Sequence, residues 1–159
     1  MSQASTPTPT SQGYSPPSVT QFSVFLDNKV GKLLELLKLF DDTTGCQVCA
    51  FTVQEASDYA VVRVLTNNAA AAKALLKSQR LPHSERQLLV VEVPDEHTIT
   101  RLCLYLLGAE ISIHFAYPLI FGPGGHPTIA LAVDDLTLAG QILRKKDFRL
   151  LGEQDLPRA

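Results

Sequence analysis

No apolar run in this sequence approaches the roughly 18 to 20 residues that span a bilayer, so no membrane-crossing segment is expected. Positive charge is not in excess either: 14 Lys and Arg stand against 16 Asp and Glu, a formal charge of −2. Without a basic field to hold a phosphate backbone, nucleic acid is not an expected partner. Cysteine is scarce and odd in number, three in all, so a disulfide framework is neither complete nor needed and the thiols are read as reduced. The opening decapeptide MSQASTPTPT lacks the basic and apolar regions of a secretory signal, which makes a cytoplasmic location the expectation. Residues 1–18 hold no charged side chain and almost nothing aliphatic, while Ser, Thr and Pro dominate. Such a segment cannot bury enough surface to offset its ordering entropy, so a disordered tail is expected there. What remains is core-rich. With 45% hydrophobic residues and 159 positions, the chain suits one domain or two small ones sharing a core, and is too short for a large multi-domain enzyme.

An internal repeat organises that remainder. Val62-Arg63-Val64-Leu65-Thr66-Asn67-Asn68 matches Ile129-Ala130-Leu131-Ala132-Val133-Asp134-Asp135 at an offset of 67. Each block is an apolar strand ending in two residues suited to capping a helix, and helices are predicted over 69–77 and 136–144. Upstream, 21–26 and 87–93 read as strands closed by the acidic turns Asp27 and Asp95. Amphipathic helices follow each: Val30, Leu33, Leu34, Leu37 and Phe40 in the first copy, and Ile99, Leu102, Cys103, Leu106 and Leu107 after Thr98 in the second. Further strands are predicted over 46–53, 59–65, 111–120 and 128–133, with short final strands near 82–84 and 148–151. Each half therefore reads strand, helix, strand, strand, helix, strand, the split βαβ plan. The fold class is α+β, with two ferredoxin-like βαββαβ domains in tandem, antiparallel sheets and helices on one face. Domain limits are set at 19–85 and 86–159. A unit of ~70 residues buries only about 60% of its unfolded surface, so two copies sharing a core stabilise each other.

Signals for chemistry are weak. Cys46-Gln47-Val48-Cys49 has redox or zinc spacing, but on a strand residues three apart point to opposite faces, so the thiols diverge. Zinc needs further ligands, and His83, His97, His114 and His126 show no ligand spacing. A hairpin would bring His114 and His126 nearer, yet two sheet histidines are more often a solvated or hydrogen-bonded face. No Gly-x-Ser-x-Gly elbow occurs. The Gly122-Pro123-Gly124-Gly125 stretch lacks the Lys and Ser/Thr of a phosphate loop and reads as a hairpin turn. Arg144-Lys145-Lys146 closes a helix, where cations complement the dipole. The third strand offers Tyr59 alone as a stacking residue, which does not make an RNA platform.

One feature suits a ligand. The loop Asp27-Asn28-Lys29-Val30-Gly31-Lys32 leads into a helix N-terminus, Gly31 permits close backbone approach, and free N–H groups there suit a small carboxylate. Asn28 can hold an ammonium through its carbonyl oxygen. A plain capped turn is the competing reading of the same residues.

These stretches resemble the ACT domain family, small regulatory modules that bind amino acids, and in particular the stand-alone tandem ACT proteins of bacteria. The resemblance covers residues 21–156 and rests on Phe25 to Leu33, on Ser57-Asp58-Tyr59-Ala60-Val61-Val62-Arg63 and on Val91-Glu92-Val93-Pro94-Asp95. It implies a non-enzymatic protein with no cofactor, binding an amino acid between domains and acting as a homodimer or through a partner enzyme of amino-acid metabolism. Carried over, the ligand residues are Asp27, Asn28, Lys29, Val30 and Gly31 in the first loop, Asp95 in the second, and Gln47 and Ser112 at the strand positions. Val30 stands where the family has proline, and Asp95-Glu96-His97-Thr98 lacks the Pro-Gly altogether. One competent site at most is therefore expected, on the first loop. The alternative is a dimerisation scaffold or regulatory subunit whose ligand sites have degenerated.

Overall fold

A computed structural model describes residues 14–158. The elements are β1 (Val19–Asp27), α1 (Lys32–Asp41), β2 (Val48–Glu55), β3 (Tyr59–Thr66), α2 (Ala69–Ser78), β4 (His83–Glu92), α3 (Ile99–Gly108), β5 (Ile113–Pro118), β6 (Thr128–Val133), α4 (Leu136–Lys145) and β7 (Arg149–Leu151). Single 3-10 turns at Pro123–Gly125 and Glu153–Asp155 complete the chain. The capping pairs of the repeat do what their chemistry predicts. Asn68 and Asp135 accept from Ala71 N at 3.1 Å and Leu138 N at 2.9 Å, and Thr98 accepts from Arg101 N at 3.1 Å.

All strand pairs are antiparallel, and they form one seven-stranded sheet in the order β2-β3-β1-β4-β6-β5, with β7 also on β4. The separate strands expected near 82–84 and over 87–93 are a single strand. Residues 83–92 hold no glycine, proline or asparagine to break it. The first half of β4 pairs with β1, His83 opposite Val24 and Leu88 opposite Val19. Its second half pairs with β6 and β7. β4 is thus the last strand of one βαββαβ unit and the first of the next, and the expected limit between 85 and 86 falls inside it.

The helices all lie on one face. Phe22, Val24 and Leu26 of β1 meet Leu36 and Phe40 of α1 and Leu76 of α2. In the second unit Leu89 and Val91 meet Leu102 and Leu106 of α3 and Leu143 of α4. A third core contains no helical residue at all: Val19, Ala50, Leu65, Leu88, Val90, Tyr117, Ala130 and Leu151 come from six strands and the bulge of β2. The sheet curls until its edge strands touch, Ile120 N donating to Cys49 O at 2.9 Å, so its helix-free face becomes an interior. Leu88, Leu89, Val90 and Val91 are fully buried in succession. Burial on both faces contributes roughly 1.5–3 kcal/mol for each such side chain.

Three expectations are corrected. In α1 the buried face is Leu36 and Phe40, while Leu34 faces outward and Val30 precedes the helix, fully exposed, because Gly31 at φ 87° turns the chain and starts the helix at Lys32. In α3 the buried face is Leu102 and Leu106, while Ile99, Cys103 and Leu107 of the expected stripe face outward. The tail is the third. Residues 1–13 lie outside the described residues, but Pro16 is buried against Gly140, whose absent side chain leaves room for the ring. Arg144 lies over the Tyr14 ring at 4.7 Å, and Ser18 Oγ donates to Gln87 Oε1 at 2.9 Å.

Candidate functional site

The loop between β1 and α1 is held from both sides. Lys29 N donates to Asp27 O at 2.8 Å, and Asn28 Nδ2 donates to Glu55 Oε1 at 2.8 Å, tying the loop to the β2–β3 turn. A longer bond from Nδ2 reaches Ala56 O at 3.4 Å. These bonds use the amide hydrogens of Asn28 and leave its Oδ1 available as an acceptor. Gly31 then begins α1 in the left-handed conformation and supplies no side-chain cap. Among the described residues, α1 is the one α-helix whose N-terminus no side chain caps. Lys32 N donates back to Lys29 O at 3.3 Å, and no side chain meets the rest of the first turn or the positive end of its dipole, which faces the loop. Asp27, Asn28, Lys29, Val30 and Gly31 are all exposed.

Gln47 and Ser112 share a different job. Asn67 Oδ1 accepts from Gln47 N at 2.9 Å and Asn67 N donates back to Gln47 O at 3.1 Å. In the second unit Asp134 Oδ1 accepts from Ser112 N at 3.1 Å and Asp134 N donates to Ser112 O at 3.3 Å. The repeat thus reproduces one clasp between the entry to the second strand and the exit from the third. Gln47 Oε1 is buried without a partner. β1 and β2 both run antiparallel to β3, so the end of β1 and the start of β2 lie at opposite ends of the unit. Within one chain the loop and Gln47 are therefore kept apart. Asp95 sits exposed in the turn before α3, where Thr98 already caps the helix.

The reactive candidates fall into structural roles. Cys46 packs in the helix-side core and Cys49 in the helix-free core, the divergence that strand geometry predicts. Burial raises both thiols, Cys49 up to about 11, with Cys46 adding to the effect, so neither is a thiolate at neutral pH. His114 Nδ1 accepts from Arg86 at 2.6 Å, whereas His126 faces Glu92 at 4.0 Å, so the hairpin does not pair them. Among the described residues no cluster of three His, Cys, Asp or Glu is placed to hold a metal. No helix there is long and apolar enough to cross a membrane.

The second unit contains a cleft that the sequence reading missed. It encloses about 610 Å³ between the start of α3 and the β5–β6 connection, with Val93, Ile99, Ile120, Phe121 and Pro127 in its wall and His126 and Thr128 as its polar groups. Gly122 shapes it: a Cβ there would lie 2.1 Å from His126 O, so only glycine lets the two backbones meet. The available signal was Ile120-Phe121, two large apolar residues placed directly before a glycine loop.

The shared strand, the two βαββαβ units and the repeated clasp define a duplicated ferredoxin-like protein. The chain belongs to the family of ACT domain pairs, whose model matches residues 17–159. No curated protein sequence matches it significantly. Among solved structures it is similar to protein BT0572 from Bacteroides thetaiotaomicron, at 19% identity and a TM-score of 0.79, covering 91% of this chain and 99% of that one. It is also similar to the ligand-free regulatory subunit of aspartate kinase from Thermus thermophilus, at 8% identity and a TM-score of 0.55, covering 83% and 92%.

Proposed function

We propose that this ACT domain pair is a non-enzymatic regulatory protein of the cytoplasm that binds an amino acid at the β1–α1 loop of its first unit. The observation that carries the reading is the uncapped N-terminus of α1 behind Gly31, beside an asparagine whose Oδ1 remains open. The helix end suits the ligand's carboxylate and Asn28 Oδ1 its ammonium. Because Gln47 lies away from this loop within the chain, a second copy is the natural source of the strand that completes the site, which makes the working form a homodimer. That one solved structure of this fold is a regulatory subunit supports a role exerted on a partner enzyme. Binding would then stabilise the pair by linkage.

A thermal-shift screen of the twenty amino acids on the full chain tests this. One or a few should raise the melting midpoint, and Asn28→Ala should abolish the rise. Silence across all twenty at millimolar concentration would reject it. The scaffold reading draws on a specific observation too: Asn28 is already engaged by Glu55, as in a site that has become structural. It predicts a dimer by sedimentation that is indifferent to every amino acid.

A further inference from the structure

The helix-free face is apolar over only part of its area. Where β1, β3 and β4 approach the β2–β3 turn it becomes polar, with Ser23, Thr52, Arg63, Ser84 and Arg86 brought together by register: Ser23 opposite both Arg63 and Ser84, and Thr52 opposite Arg63. Arg63 and Arg86 stand on strands that flank β1, about 10 Å apart at ordinary strand spacing. Both bend toward one ring. The guanidinium carbon of Arg63 is 4.2 Å from the centroid of Phe115 and that of Arg86 is 5.4 Å from it, so β5 inserts an aromatic between two first-unit cations.

Among the described residues neither cation has a counter-ion. Arg63 donates to Gln54 Oε1 at 3.3 Å, and Arg86 to His114 Nδ1 at 2.6 Å and Val133 O at 3.3 Å. None of these acceptors is a carboxylate, so no negative charge meets either guanidinium through them. The ion pairs among the described residues use Lys32, Lys73, His126 and Arg149, never Arg63 or Arg86. Thr52 Oγ1, across the strand from Arg63, is buried without a hydrogen-bond partner. Both arginines are partly buried. Two half-desolvated charges of one sign beside each other are costly, and the ring's attraction of about 0.5–2 kcal/mol compensates only in part.

We propose that Arg63 and Arg86 form an anion-binding site on the helix-free face, taking a small dianion that carries carboxylate or phosphate. The guanidinium fork matches either oxyanion, and a dianion meets both charges at once. This site is separate from the β1–α1 loop and does not depend on the amino-acid reading.

The test is a titration of the full chain with succinate and with inorganic phosphate, each at ionic strength held constant with sodium chloride. A saturable rise in melting midpoint of roughly 4 °C or more is expected at twentyfold saturation by at least one of them. A response to succinate alone assigns a dicarboxylate, and a response to phosphate alone assigns a phosphate ester. Arg63→Gln and Arg86→Gln should each weaken binding at least tenfold, while Lys38→Gln, on the exposed side of α1, should not. Because a variant can lose its fold, the wild-type arginine Nε–H resonances give a second readout: two should shift together along the same titration curve. No saturable response to either anion beyond chloride, or equal binding in both arginine variants, would overturn the proposal.

Discussion

Tyr117→Phe probes the seam that closes the sheet on itself. Tyr117 OH donates to Gln21 Oε1 at 2.6 Å, joining β5 to β1, and the two residues are 5% and 1% exposed. Removing the hydroxyl changes neither the ring nor its stacking on Phe115 at 6.3 Å. It does leave Gln21 Oε1 in a dry interior without a donor. The cost of such an orphan is about 1–3 kcal/mol, and 2 kcal/mol lowers the melting midpoint of a chain this size by roughly 4–8 °C. Urea unfolding followed by circular dichroism measures the loss directly. Gln21→Met in the same chain removes the stranded acceptor, so the double variant should lose less than the two single variants together, with a coupling of about 1–2 kcal/mol. A Tyr117→Phe protein within ~0.5 kcal/mol of the parent, or strictly additive variants, would refute the view that this bond closes the seam.

Gly122→Ala should lose about 1–3 kcal/mol, since its Cβ would meet His126 O at 2.1 Å and Thr128 Oγ1 at 2.7 Å; an unchanged thermal midpoint would contradict the close approach. Alkaline pH should also destabilise the fold. Burial raises Cys49 from 9.0 to about 11 and raises Tyr117 from 10.0, so the folded state holds protons that the unfolded chain releases first. That contribution is complete below pH 9 and is lost as pH rises toward 11. The urea midpoint should be level up to pH 9 and then fall, and Cys49→Ala should flatten the onset; a level profile to pH 11 would count against both assignments.

The elements were legible because the repeat prints each of them twice. Asn67-Asn68 and Asp134-Asp135 mark the same clasp and cap in both units, and either copy confirms the other. The shared strand was not read, although its two signals were present. Residues 83–92 hold no glycine, proline, asparagine or aspartate, and the unbroken Leu88 to Val91 run signals burial on two faces rather than one. The Tyr14 and Pro16 contacts were hidden for another reason: composition reports that a segment is poor in apolar surface, not that Gly140 has left a place for one proline. In the candidate site, the sequence marked the first loop through Gly31 and Asn28. It could not show that Gln47 lies at the far end of the unit, because that depends on strand direction. Nor could it show two arginines meeting on Phe115, which requires the sheet to close.

The common strand also limits how such a protein can respond to anything it binds. Most paired modules are joined by a linker and signal by swinging about it. Here β4 passes from one unit into the other with no joint, and hydrogen-bonded neighbours grip it along both halves. Reorientation of rigid bodies is therefore closed to this chain. Any response to a bound molecule would have to pass as a change in the coil of one sheet, felt at the line where β2 and β5 meet.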